Sequence, residues 1–479
     1  MRKRSKKVRR LFRRFGGWTT IAVLGVVLLW WAAHRMLPPA EAPTEPEAVL
    51  VPHDRILILA PHPDDEVLGC AGVIQKALAM HVPVRVVFFT YGDNNEWSFL
   101  LFRKHPVVWP SGVRQMGLVR HDEALEAGRR LGVSPRQEIF LGYPDFGTLN
   151  IWMTHWGSRV PYRSMLTRVT SVPYDNALRP GAPYKGEEIL RDLTMLLRVF
   201  HPTKIYVSHP SDYMPDHVAL YLFLRVALWD LEREMRPEVY PYLVHHGSWP
   251  QPKGFHPEKP LEPPASLAQV IDWEYSPLAP EEITRKRQAL RAHRTQYAYS
   301  KQYLLSFARS NELFGDFADV VISQADHASV TLTTGGTATT AEGTAHLTER
   351  QRAAIVGIES RSIRVDGDDV VLSLIFTRPL APTLRVTTFL FGYRVDRPFA
   401  QMPKVRVQVT GLLHAVFDQR RRLPADEVRV ERGLRHLTIR VPRRLLGDPQ
   451  RLLTGARTYL GTVPLDWISW RAVILPPSN

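Results

Sequence analysis

Between residues 55 and 208, short runs of β-branched and aliphatic residues alternate with longer stretches whose apolar positions recur every three or four residues. This pattern predicts strands at 55–60, 84–90, 138–141 and 204–208, and helices at 67–80, 120–131 and 185–200. Strands alternating with helices build a doubly wound, mainly parallel α/β sheet, and ligands in such sheets sit beyond the C-terminal strand ends. A stripe of Leu290, Tyr297, Leu304 and Phe307 predicts one long helix over 280–314 that closes this unit, with core packing as its role. Beyond Phe317 the character changes to short strand-like runs at 330–333, 370–376, 384–390, 405–409, 437–441 and 472–475, parted by Gly, Pro and Asp. That is the pattern of an all-β sandwich, with the Thr/Gly-rich 334–344 as a loop.

Length changes the picture first: 479 residues exceed what one core usually supports, so two folded domains are expected. The net charge is +15, but nine Lys or Arg fall within the first fourteen residues, so the excess is largely a tail. Such a tail could bind nucleic acid. Here it runs straight into the uncharged stretch 15–33, long enough to cross a bilayer as a helix, and the context excludes nucleic acid in favour of a membrane. Basic residues before the span place the N-terminus in the cytoplasm and the rest outside, a single-pass signal anchor in the cytoplasmic membrane. Trp30, Trp31, His34 and Arg35 match a cleavage site poorly. The expected order is a basic tail (1–14), transmembrane anchor (15–34), Pro-rich linker (35–50), α/β domain (51–316) and β-sandwich (317–479). Cys70 is the sole cysteine, which rules out an intrachain disulfide and reads as a small packing residue among Gly69, Ala71 and Gly72.

The chemistry concentrates in two clusters. Ala60-Pro61-His62-Pro63-Asp64-Asp65-Glu66 follows the first apolar strand and precedes a helix. Imidazole and carboxylate are good zinc ligands, and a catalytic zinc keeps three protein ligands and one open position. The acids would also suit a helix N-terminus with no metal at all. Ser208-His209-Pro210-Ser211-Asp212-Tyr213-Met214-Pro215-Asp216-His217 follows a second apolar strand and supplies a third ligand from the same sheet edge.

With both clusters in place, the chain resembles the LmbE-like or PIG-L family of zinc N-deacetylases over roughly 55–314. The resemblance includes Arg120-His121-Asp122-Glu123, Leu141-Gly142-Tyr143-Pro144-Asp145 and Gln296. It implies that His62, Asp65 and His217 bind Zn2+ or another divalent ion, that Asp64 is the general base, and that Arg120 and Asp145 contact the sugar. Its implied reaction is removal of an N-acetyl group from an amino sugar of the N-acetylglucosamine type, in a glycolipid or surface polysaccharide. One position departs from the family: Met214 stands where a histidine acts on the tetrahedral intermediate, and a thioether has no proton to give. His209, His245 and His246 are candidates for that role. The alternative is a catalytically weak or inactive, metal-containing protein that binds or assembles glycans on the same fold. The end of the chain, 437–446 and 467–475, loosely resembles family-9-like carbohydrate-binding domains, which implies a glycan contact through Trp467 or Trp470, residues that serve equally well as core.

Overall fold

The computed structural model describes residues 49–94, 109–157, 160–323, 329–334, 348–349, 352, 355–461, 463–466 and 469–477. The basic tail, the expected anchor and nearly all of the linker lie outside the described residues, as does most of the loop expected at 334–344. Among the described residues no helix is long and apolar enough to cross a membrane.

Seven strands form the first sheet: β1 (Ile56–Ala60), β2 (Val84–Thr90), β3 (Glu138–Tyr143), β4 (Lys204–Ser208), β5 (Glu238–Tyr242), β6 (Asp272–Pro277) and β7 (Asn311–Asp316), in the order 3-2-1-4-5-7-6. The first five are parallel, and β6 and β7 add an antiparallel edge. Ile56 pairs with Val84 on one side and Lys204 on the other, so β1 is central, and all five of its residues are buried. A strand covered on both faces reads as a continuous apolar run, which is why ILILA shows no alternation. Chain order reverses between β1 and β4, and the crevice beyond their C-terminal ends is where a doubly wound sheet binds ligands.

The helices are α1 (Asp65–Ala79), α2 (Pro110–Leu131), α3 (Thr148–Thr154), α4 (Gly186–Phe200), α5 (Pro215–Asp230), α6 (Pro280–Ala292) and α7 (Arg294–Leu305). Asp65 and Glu66 in the first turn of α1 complement its dipole. Its small residues let it lie directly on β5, since a Cβ at Gly69 would come within 2.4 Å of the Tyr242 ring, and the neighbouring Cys70 is buried. Helix α2 begins at Pro110, ten residues before the apolar period suggests, with proline in its first turn, and ends at Gly132 with φ 94°.

The single helix expected over 280–314 is instead two helices and a strand. His293, at φ −73° and ψ 62°, leaves the helical region, and its Nε2 lies 3.0 Å from Glu66 Oε1. Thr295 N donates to Glu123 Oε1 at 3.0 Å, so an acid on α2 holds the start of α7. No Pro or Gly marks this break. Asn311–Asp316 then pairs with β6 rather than continuing a helix.

The C-terminal region is all β: a five-stranded and an eight-stranded sheet share an apolar core that includes Leu372, Leu374, Ile439, Leu390, Val405 and Val407. Pairing is antiparallel except between 320–321 and 471–474. Phe389, Phe391, Phe399 and Trp470 belong to the core of the α/β unit rather than to this one. Trp470 is 4% exposed, stacks on Phe389 at 5.4 Å and meets Trp152 of α3 edge-on at 6.3 Å. It is a packing residue between the two regions and offers no face to a sugar; Trp467 lies outside the described residues.

Candidate metal centre and cavity

The turn after β1 carries His62 to the sheet edge, and Asp65 opens α1 three residues later. His62 N donates to Asp65 Oδ2 at 2.9 Å, which fixes their spacing. From the β4 side, α5 begins at Pro215 and presents His217 in its first turn. Three atoms converge there. His62 Nδ1 lies 3.2 Å from Asp65 Oδ2, His217 Nε2 lies 3.1 Å from the same oxygen, and the two nitrogens are 3.3 Å apart. Tetrahedral bonds of about 2.0–2.1 Å give ligand edges of about 3.3–3.4 Å, so the triangle has the size of one face of a zinc site.

The surrounding acids fix the ring tautomers. His62 Nε2 lies 3.0 Å from Asp145 Oδ1 and 3.2 Å from Asp216 Oδ2, so that nitrogen carries hydrogen when the ring is neutral. His217 Nδ1 lies 3.0 Å from Asp212 Oδ2 and carries hydrogen for the same reason. The lone pairs of His62 Nδ1 and His217 Nε2 therefore meet each other and a carboxylate oxygen. Three acceptors in such contact need positive charge between them, and the residues fit a divalent ion. Carboxylates behind ligating imidazoles are the usual means of orienting them.

A second group, His62, Asp145 and Asp216, is also close enough to hold an ion. It uses the His62 nitrogen that faces two carboxylates, and Asp216 already accepts from Phe146 N, Thr148 N and the Thr148 hydroxyl. Asp145 accepts from Asn94 N at 2.8 Å. This group is better suited to hold His62 than to take a metal.

The field favours a cation at the centre. Burial opposes charge on His217, yet Asp212 and Asp65 bring its imidazole up to about 9. Burial likewise opposes charge on His62, yet Asp145, Asp216 and Asp65 hold it well above its usual range. Against its own burial, Asp65 is held well below the usual carboxylate range by His217 and His62.

Asp64 sits between the two ligands in a conformation rare outside glycine, φ 124° and ψ −27°. Its N–H donates to Glu66 Oε2 at 2.9 Å, the acid that also meets His293, while Arg120 Nη2 donates to Pro63 O at 2.7 Å and Nη1 to Gly92 O at 2.8 Å. Gly92 is itself at φ +62°, and a Cβ there would come within 2.2 Å of the guanidinium. Burial, only partly offset by the Arg120 charge, pushes the Asp64 carboxyl up to about 7. Backbone strain and a raised pKa together separate this acid from its neighbour Asp65.

His62, Asp64, Arg120 and Asp145 line one cavity of about 590 Å³, together with Phe146, Tyr213, Met214, His245, Gln296 and Tyr303. Of the three histidines considered as stand-ins at Met214, His245 lines this cavity. His209 does not: it is fully buried, accepts from Ser211 N at 2.9 Å and lies along Trp273 at 5.7 Å. Nor does His246, whose Nε2 lies 2.9 Å from Ser266 Oγ in a separate groove beside Trp249. Arg120 and Asp145, expected on the sugar, are at the cavity wall with much of their bonding directed at the protein: Arg120 at two backbone carbonyls, Asp145 at His62 and Asn94.

Tyr303 was not foreseen. Its hydroxyl donates to Val244 O at 2.8 Å and lies 3.1 Å from His245 Nδ1, so it must accept from that nitrogen. Neutral His245 is thereby held with hydrogen on Nδ1 and a lone pair on Nε2. Asp212 and Asp216 were visible in the second cluster as acids, but their histidine partners were not assigned.

The fold and centre define a doubly wound α/β protein whose switch-point edge carries a group fit to hold a metal ion. Residues 57–228 match the PIG-L family model, described as GlcNAc-PI de-N-acetylase, and the chain carries a PIG-L (LmbE-like) domain there. Similar solved structures include N,N'-diacetylchitobiose deacetylase from Pyrococcus horikoshii, 19% identical over 55% of this chain and 82% of that one, with a TM-score of 0.34. Teicoplanin deacetylase Orf2 in a zinc-inhibited form is 15% identical over 55% and 97%, at 0.36. The 4-carboxy-2-hydroxymuconate hydratase GalB from Pseudomonas putida is 16% identical over 53% and 82%, at 0.34. No curated protein sequence matches the chain.

Proposed function

We propose that this chain is a zinc-dependent N-deacetylase that releases acetate from an N-acetylated amino sugar, of the N-acetylglucosamine type, carried on a glycolipid or surface polysaccharide. The observation that carries the reading is the convergence of His62 Nδ1, Asp65 Oδ2 and His217 Nε2 beside a strained, raised-pKa Asp64 in an open cavity. The PIG-L match supports the reaction and the sugar class. Zn2+ held by the three ligands would supply a Lewis acid for the amide carbonyl and lower the pKa of water.

The chain's own residues account for the proton movements. Ionised Asp64 accepts a proton from the attacking water as the new carbon–oxygen bond forms. The resulting carboxylic acid returns that proton to the amine nitrogen as the carbon–nitrogen bond breaks, giving the free amine and acetic acid, whose proton then passes to the amine or to solvent to leave acetate. A carboxyl near 7 is poised for both halves. His245, with Nδ1–H committed to Tyr303, offers only an acceptor at Nε2, so it fits orientation of a substrate hydroxyl or amide N–H rather than donation to an oxyanion. Arg120 keeps the Pro63–Asp64 peptide in place.

Met214 on the cavity wall favours a second reading, a glycan-binding or assembly protein with the metal but little turnover. The test is acetate release from N-acetylglucosamine-containing lipids and polymers by metal-loaded protein. Wild type should turn over, while Asp64→Asn retains metal and loses about 100-fold or more in rate. Absence of turnover in wild type with metal bound would favour the second reading, and full activity in Asp64→Asn would remove Asp64 as the base.

A further inference from the structure

The C-terminal strands run from the α/β interface to an opposite end. The strand Leu384–Tyr393 carries Phe389, Phe391 and Tyr393 toward the interface, and its first residue lies five positions before Phe389 and nine before Tyr393, roughly 17 and 31 Å. Three loops meet at that far end. Leu380 N donates to Leu434 O and Phe376 N to Arg435 O, both at 2.9 Å. The Arg432 guanidinium donates to Gly411 O and, at 2.7 Å, to Leu380 O, tying the loops into one tip.

This tip displays aliphatic side chains without cover among the described residues. Leu412 is 91% exposed, Leu413 80%, Leu434 73% and Ile375 46%. Leucines so exposed on neighbouring loops are an unusual expenditure of apolar surface for a soluble face. The loop segments 377–385, 410–414 and 432–436 contain Arg378, Arg385, Arg432 and Arg435 and no Asp or Glu. Glu359, which pairs with Arg435 at 2.7 Å, and the exposed Glu431 flank them, leaving the arginines in excess.

We infer that this tip docks on an anionic lipid surface, with Leu412, Leu413 and Leu434 entering the acyl boundary and Arg378 and Arg435 meeting headgroup phosphates, while Arg432 holds the loops together. The proposal is independent of the reading of the cavity. An aliphatic centre with basic side chains around it is what interfacial binding uses, and each basic side chain near an anionic surface adds to it. A sugar would call for aromatic faces instead, and Trp470 is buried elsewhere.

The test follows probe depth at the tip, because residues 15–33 could hold the chain on vesicles by themselves. Cys70 is the only cysteine and is buried, so Leu412→Cys and Leu434→Cys can each be labelled selectively with a polarity-sensitive fluorophore in the full chain. Val199→Cys, at a position 77% exposed on α4, is the control. On phosphatidylglycerol-containing vesicles, emission at 412 and 434 should shift to the blue and be quenched by lipid carrying an acyl-chain nitroxide, while 199 does not change. Pure phosphatidylcholine, or Arg378→Glu with Arg435→Glu, should reduce the quenched fraction about tenfold. Probes at 412 and 434 that ignore lipid, that behave like 199, or that shift only with protein concentration would overturn the inference, the last by pointing to contact between copies of the chain.

Discussion

Lys286 on α6 and Glu312 on β7 form a buried ion pair, 0% and 1% exposed at the side chain and 2.8 Å apart. Glu312 accepts from Gly72 N at 2.8 Å and Val73 N at 3.1 Å, while Lys286 Nζ donates to Leu68 O at 2.9 Å. Gly72 N–H and Leu68 C=O are the two ends of one helical link, so the pair grips α1 at a single turn. Lys286→Met leaves a carboxylate in the core with backbone amides for company, at a cost of about 3–5 kcal/mol. Against a typical total of about 5–15 kcal/mol that is a large fraction, and it lowers Tm by roughly 5–15 °C. Lys286→Met with Glu312→Leu removes both charges and leaves Gly72 N–H and Leu68 O as partners within the helix, so the double variant should recover to within about 1.5 kcal/mol of wild type. Urea titration of the three proteins by circular dichroism measures this. A single variant costing under about 1 kcal/mol, or a double variant as unstable as the two single losses added, would refute the reasoning. Since Asp65 opens the same helix, metal affinity should fall with stability in the single variant and return in the double.

His217→Ala should abolish stoichiometric zinc by elemental analysis, and one zinc bound with unchanged affinity would contradict its place as a ligand. Tyr303→Phe should lower kcat about tenfold with metal content unchanged, because His245 is freed to take the other tautomer; an unaltered kcat would mean that this hydrogen bond is only structural. Burial, with Glu66 adding to it against Arg129, pushes the Glu138 carboxyl from 4.5 up to about 9. The folded chain then keeps a proton that the unfolded chain loses between 4.5 and about 9, so stability falls as pH rises through that window, by up to about 1.4 kcal/mol per pH unit from this group. Glu138→Gln should flatten that slope in urea titrations at a series of pH values, and an identical slope would show that Glu138 is not its source.

The elements that could be read from sequence were those whose cause is local. The β1 run Ile56–Ala60 lacks alternation because helices cover both faces, and the motif after it puts His62 and Asp65 in one turn, so their proximity follows from spacing alone. The break at His293 had no such signal. The apolar stripe Leu290, Tyr297, Leu304 continues across it, and the residues that make it, Glu66 and Glu123, are brought there by α1 and α2 from more than 170 positions away. For the same reason residues 311–314 fall inside the helix that the apolar stripe predicts, whereas the strand Asn311–Asp316 depends on pairing with β6.

The centre divides along the same line. A ligand can be recognised by its residue type, but its protonation depends on a partner that the chain supplies from elsewhere. Asp216 is adjacent to His217 in sequence, yet it serves His62, 154 residues earlier, while His217 is served by Asp212. Neighbours in the motif thus hold opposite sides of the centre, a crossing that no spacing rule announces. The substitution at Met214 behaves likewise. The cavity recruits His245 from the end of β5, and its tautomer is set by Tyr303 on α7, so the property that decides what His245 can do, acceptor rather than donor, resides in a residue 58 positions away. A histidine restored by Met214→His would therefore add an imidazole free to donate rather than duplicate His245, whose Nδ1–H is committed to Tyr303.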